Sequence, residues 1–215
     1  MRAVPAGMRS HPQSRRLRRR WACLGAVALL AATGAPGCGR RTREAVPPPA
    51  PQQTERAAAP GGWTLISPAF GPGERIPDAY TCDGEDASPE LAWSAPPKGT
   101  VELALVCDDP DAPGGVWVHW VLYGLPADRR GLPRGVARSE TLADLGGARQ
   151  GRNSWGEVGY QGPCPPSGPA HHYHFRLYAL SAKLDLAPGA ERPELDQAME
   201  GRVLAQAELV GVYSR

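Results

Sequence analysis

The chain has 215 residues, enough for one good-sized domain with extensions, and 41% hydrophobic content permits a core. Its 26 glycines and 24 prolines favour turns and short strands over long helices. The formal charge of +2 is misleading, because residues 1–37 hold seven arginines and no carboxylate; the rest of the chain is net −5, which makes a general nucleic-acid binder a poor fit and leaves no nucleic-acid partner expected.

The first segment reads as an export signal. "SRRLRRR" (Ser14–Arg20) is a basic head, and "WACLGAVALLAA" (Trp21–Ala32) is an apolar core, too short for an ordinary membrane span. "GAPGCGRR" follows. Its small residues before Cys38 are similar to the lipobox of bacterial lipoproteins, with Ala35 where leucine is usual. That similarity implies a lipoprotein-type signal peptide over 1–37 and a lipidated Cys38; an ordinary cleavage site beside a chance cysteine is the alternative. Residues 38–62 then read as the anchor and a Pro/Ala-rich tether, stiffened at Pro47–Pro49.

Residues 63–215 read as one folded domain. In "VELALVC", Val101, Leu103, Leu105 and Cys107 alternate onto one face. In "VWVHWVLYGLP", strict alternation places Trp117, His119, Val121 and Tyr123 on one face and Val118, Trp120 and Leu122 on the other. A strand apolar on both sides is expected to be central and covered twice. In "HHYHFRLYAL", His171, Tyr173, Phe175 and Leu177 share a face, and His172, His174 and Arg176 are expected to meet solvent. "PELDQAMEG" (Pro193–Gly201) predicts a helix with proline early and glycine as the stop, and Val203–Tyr213 a last strand. The fold class is therefore mainly β: one large sheet and a smaller one, with one or two short helices. Long Gly- and Pro-rich loops, Ser67–Pro97 and Gly151–Ala170, separate the strands, with Ile76 and Tyr80 as anchors of the first.

One stretch invites a chemical reading. In "CDDPDAPGGVWVHW", Asp109 and Asp111 sit in a turn set by Pro110 and Pro113, and His119 lies on the strand that leaves it. A carboxylate beside an imidazole fixes its tautomer or stabilises its protonated form. His171 opens another strand with Tyr173 on the same face, and Gly162-Pro163 precedes it in a loop expected to expose backbone amides. Together with Trp117 as an aromatic wall, these groups suit a small anion pocket. The plainer readings are a turn capped by aspartate and a core histidine among tryptophans. No close metal-ligand spacing is present, so no metal is expected, and Ser154 and Ser167 lie in no nucleophile elbow. Cys107 ends an apolar strand and reads as a buried thiol. Cys82 and Cys164 lie in the loops flanking the proposed site, and a bridge between them is a candidate in an exported chain, although spacing alone does not set connectivity.

Taken together, "LISPAF", "IPDAYTCDGEDASPELAW", "DDPDAPGGVWVHWVLYGLP", "RNSWGEVGYQGPCPPSG", "HHYHFRLYAL" and the final "VGVYSR" resemble the phosphatidylethanolamine-binding proteins, in their bacterial Raf-kinase-inhibitor-like branch. The resemblance implies a β-sandwich and a pocket for phosphate or a phosphoethanolamine-like head group. It implies as pocket residues Asp109, Pro113, Trp117, His119, Gly162, His171 and Tyr173. The loop after "DPDAP" is short and the chain ends on a strand, so ligand preference is not carried over; kinase inhibition is not carried over because an exported lipoprotein would not meet a cytosolic kinase. The expected function is an exported, lipid-anchored binding protein, not an enzyme, without cofactor, facing the periplasm. The alternatives are an inhibitor or interaction module for an envelope protease or other protein partner, and a hydrolase using the Asp–His pair.

Overall fold

The computed structural model describes residues 62–215, so the expected signal segment, Cys38 and nearly all of the tether lie outside the described residues. In chain order the strands are β1 (Leu65–Ile66), β2 (Leu91–Trp93), β3 (Glu102–Asp109), β4 (Trp117–Pro126), β5 (Gly131–Leu132), β6 (Thr141–Leu142), β7 (Ala148–Gln150) and β8 (His171–Leu180). The helix α1 (Arg192–Met199) and the final strand β9 (Val203–Tyr213) complete the chain. The large sheet has the order β6-β7-β4-β3-β8-β9 and the small one β1-β2-β5, with every pairing antiparallel. The expected sandwich of one large and one smaller sheet holds.

β3 is buried at all eight positions because it is the centre of the large sheet and both faces are covered. On one face Leu103, Leu105, Cys107, Trp120, Leu122, Phe175 and Leu177 pack with Leu65, Leu91, Trp93 and Leu132 of the small sheet. On the other, Ala104, Val106, Val121 and Tyr123 pack with Leu195 and Met199 of α1 and with Leu184 from the segment before it. The helix begins with a capping box between Glu191 and Glu194 and has Pro193 in its first turn, where a missing N–H costs nothing. Among the described residues no helix is long and apolar enough to cross a membrane.

The predicted alternation of β4 fails, for a specific reason. Cys107 lies opposite Trp120 but Asp108 lies opposite Val118, so His119 is an extra residue in the ladder. This bulge inverts the phase of the strand. Val118 packs on the helix-covered face with Val121 and Tyr123. His119 meets Tyr173, on the face that carries Trp120. Trp117 and His119 therefore do not share a face with Val121 and Tyr123. A second bulge falls between Leu103 and Leu105, where Gly124 adopts φ +75°, a left-handed backbone that glycine tolerates best.

The polar face of β8 is also less free than expected. His172 is exposed, but Arg176 donates to both carboxylate oxygens of Asp108, at 2.5 and 2.7 Å, and to Glu208 at 2.9 Å. Arg192 of α1 reaches the same Asp108 at 2.8 Å, and His174 contacts Glu208 at 2.8 Å. Asp108 is 2% exposed and has both guanidinium groups for company.

Candidate functional site

The bulge turns the last residues of β3, the first of β4 and the first of β8 toward one another at one end of the sheet. Asp109 ends β3, 3% exposed. Its Oδ1 accepts from the Asp111 amide at 2.8 Å, so the carboxylate does cap a turn. Its Oδ2 lies 2.8 Å from Nδ1 of His171, itself 8% exposed. One aspartate thus performs both jobs weighed for it from the sequence. Asp111 instead pairs with the amide and ring of exposed His172 at 2.9 and 2.7 Å, and these contacts hold its carboxyl below the usual range.

His119 is 2% exposed. Its Nδ1 lies 2.7 Å from the carbonyl oxygen of Gln161, and its ring meets Tyr173 edge-on with centroids 5.1 Å apart. Burial pushes its pKa below 6.5, against the opposing pull of the Gln161 and Gly162 backbone and of Asp109. Burial, then the negative charge of Asp109, pushes the Tyr173 phenol well up. Its hydroxyl is the single buried side-chain N or O atom without a hydrogen-bond partner among the described residues. The Nε2 atoms of His119 and His171 form no hydrogen bond among the described residues, yet neither is sealed from solvent. Asp109, His119, His171 and Tyr173 are thus brought together.

The remaining expected residues hold different places. Trp117 is half-buried at the edge of the cluster and stacks edge-on with Trp155 at 5.2 Å. Pro113 is exposed in the loop between β3 and β4 and shapes that turn. Gly162 is buried, and its amide is not free: it donates to Asp86 Oδ1 at 2.6 Å. The expectation of exposed amides there is corrected. A Cβ at Gly162 would sit 2.1 Å from the Tyr80 carbonyl oxygen, so glycine is required for close approach of two backbones. That approach is clamped by the disulfide Cys82–Cys164 and by the Cys82 amide donating to Pro163 O at 3.1 Å. Cys107 is the free thiol among the described residues; it is buried, and its pKa lies well above the ordinary value.

Three contributors escaped the sequence reading. Trp155 packs edge-on against the His119 ring at 5.1 Å and stays 42% exposed. Gln161 orients His119 through a backbone carbonyl, which leaves no sequence signature. Asn153 shapes the loop that carries both. Its Oδ1 accepts from the Trp155 and Glu157 amides at 3.0 and 3.1 Å, and its Nδ2 donates to Gly159 O and Gln161 Oε1 at 3.2 and 2.9 Å. The signal for it was the Asn-Ser-Trp-Gly run, a turn initiator. Ser154 is committed to β4: its hydroxyl accepts from the Val118 amide at 2.8 Å and its amide donates to Val118 O at 2.9 Å. No group of three or more metal-ligating side chains occurs among the described residues.

Comparisons with known proteins bear on the family and the fold. The family model for phosphatidylethanolamine-binding protein matches residues 66–214. A UPF0098 protein of Methanothermobacter thermautotrophicus is 52% identical over 151 residues, 70% of this chain and 98% of its own. A Mycobacterium tuberculosis protein named "Putative lipoprotein LppC" is 40% identical over 193 residues, 87% of this chain and 92% of its own. Among solved structures, E. coli YbcL, titled a new member of the mammalian PEBP family, superposes with TM-score 0.67 at 33% identity, over 71% of this chain and 98% of its own. The phosphatidylethanolamine-binding protein homologue CT736 from Chlamydia trachomatis gives 0.64 at 38% identity, over 71% and 97%. With the sandwich, the motif order and a match over the whole folded domain in agreement, the chain belongs to the phosphatidylethanolamine-binding protein family.

Proposed function

We propose that the protein binds a small oxyanion or phosphorylated head group at Asp109, His119, His171 and Tyr173, without turnover, as an exported and lipid-anchored member of its family. The observation that carries this reading is the buried Tyr173 hydroxyl, which approaches Asp109 without reaching hydrogen-bond geometry, beside two imidazoles whose Nε2 atoms form no hydrogen bond among the described residues. A buried donor left unmade costs about 1–3 kcal/mol, a cost that an anion accepting from it would offset. Asp109 fixes the orientation of the His171 ring through Nδ1. Trp117 and Trp155 wall the cluster and limit water, which strengthens hydrogen bonds made there.

Lipid anchoring through Cys38, the signal over 1–37 and the tether over 38–62 form the rest of the proposal. The similarity to the mycobacterial protein named as a lipoprotein covers 87% of this chain, against 70% for the archaeal relative, and so extends beyond the folded domain. Intact mass of the membrane fraction would show a diacylglycerol adduct on Cys38; an unmodified amino terminus on a freely secreted chain would refute that part.

Inorganic phosphate or phosphoethanolamine, at about a hundred times its dissociation constant, is expected to stabilise the processed protein by about 2.7 kcal/mol, read as a rise in Tm. The double substitution His119→Ala and His171→Ala abolishes the rise; an equal rise in the double variant places binding elsewhere. Tyr173→Phe has a two-signed effect. It removes the unpaired hydroxyl and raises the stability of the free protein by about 1 kcal/mol, while weakening the response to phosphate. A change of the same sign in both measurements would contradict a ligand-facing role.

A second reading, a docking surface for an envelope protein, is favoured by Trp155, 42% exposed, and Val116, 60% exposed, near the same cluster. A stoichiometric partner that persists in the His119/His171 double variant and is lost on Trp155→Ala would favour it.

A further inference from the structure

If the cluster takes an anion, as proposed above, its own hydrogen atoms restrict which anion it takes. A carbonyl oxygen only accepts, so Nδ1 of His119, 2.7 Å from Gln161 O, carries the hydrogen. In a neutral ring Nε2 is then a lone pair. His119 is 2% exposed, and burial favours that neutral ring. His171 follows the same logic: Nδ1 gives its hydrogen to Asp109 at 2.8 Å, so in the neutral ring its Nε2 is also a lone pair. Asp109 adds a negative charge. With both rings neutral, two lone pairs and a carboxylate stand against one side-chain donor, the Tyr173 hydroxyl, which itself approaches Asp109. A bare oxyanion entering this site meets more acceptors than donors.

We propose that the site selects oxyanions that bring their own proton, namely phosphate or a phosphomonoester in the monoanionic form, over permanently bare oxyanions such as sulfate. The P–OH donates to Nε2 of His119, and a P–O⁻ accepts from Tyr173. When the free ligand is the dianion, binding removes one proton from water. Sulfate brings no proton in this pH range, so it would need that proton placed on the His119 ring, which burial opposes.

Other groups near His119 set the sign of the pH dependence. From β3 the charges of Asp109 and Asp108 reach the ring. From β8 it meets Tyr173, with His171 tied to Asp109. From the 151–162 loop it meets Trp155 and the Gln161 and Gly162 backbone. Both carboxylates favour the protonated ring, so they assist proton uptake. Affinity for phosphate therefore increases as pH falls from about 8 toward 6, the range in which the ligand gains its proton while burial favours the neutral His119 ring.

The test is calorimetric titration of the processed full-length protein with sodium phosphate and with sodium sulfate at about pH 8, each in two buffers of different ionisation enthalpy. Uptake close to one proton per phosphate, with sulfate bound at least about tenfold more weakly, is the expected result. His119→Gln is expected to reduce the uptake and bring the two anions to within about threefold, since an amide both donates and accepts. Phosphate bound by the wild-type protein without proton uptake, or sulfate bound equally well, overturns the proposal and needs no variant. Uptake that survives in His119→Gln but disappears in His171→Gln overturns the assignment to His119. Failure of both anions to bind removes the anion reading itself, a result distinct from binding without uptake.

Discussion

Loss of the Cys82–Cys164 disulfide, by reduction or by Cys82→Ser, is expected to lower folding stability by about 4 kcal/mol. The bridge spans 82 residues, and closing a loop of that length restricts the unfolded chain by about that amount in the chain-entropy account. At about 2–4 °C per kcal/mol for a chain of this size, Tm falls by roughly 8–16 °C. Binding is affected as well. The bridge holds the 76–86 loop against Pro163 and Gly162, and Gln161 next to them orients His119. A weaker response to phosphate should accompany the stability loss. Denaturant titration with and without reductant checks the first part. A shift below about 1 kcal/mol would show that the Asp86–Gly162 bond and the backbone contacts hold these loops unaided. Among the described residues Cys107 is the remaining thiol, and its burial puts it out of reach for exchange with this bridge.

Asp108→Ala is expected to cost about 2–4 kcal/mol. The carboxylate is 2% exposed and accepts from Arg176 on β8 and Arg192 on α1, so it joins three elements at one point. Its removal leaves two guanidinium groups facing each other across the vacated position. Breaking a buried ion pair in this way costs about 3–5 kcal/mol, and the lower range here reflects arginine side chains that are 23% and 21% exposed and partly screened by water. Arg192 keeps Asp196 at 2.7 Å and Arg176 keeps Glu208 at 2.9 Å, which softens the loss. Urea titration measures the change, and a loss under about 0.5 kcal/mol would mean that these alternative partners suffice.

The long strands were legible because their side chains have a period. β3, β8 and β9 lie where alternation put them, and α1 begins within a residue of the predicted Pro193. The strands of the small sheet, with two or three residues each, carry no period to read. The pairing of β4 was misread for a different reason. Val, Trp and Leu are apolar on both faces of that strand, so the pattern contained no polar marker for the bulge at His119. Within the site, Asp109, His119, His171 and Tyr173 were legible as side-chain types in recognisable motifs. The Gln161 carbonyl was not, because any residue supplies one. Gly162 was picked as part of a motif for a ligand-facing role, but the geometry makes it a spacer between two backbones.

The surplus residue at His119 puts the outer end of β4 in a different reading frame from Trp120, Val121 and Leu122. Between Val118 and Trp120 the rule linking sequence parity to sheet face changes sign. Deletion of His119 would leave Val118 and Trp120 as consecutive residues on opposite faces, so Val118 would keep its face and the strand would lose only the surplus imidazole. The inner half, from Val121 onward, would keep its packing. The site-facing and core-facing portions of one strand therefore follow separate alternations, joined at a single residue.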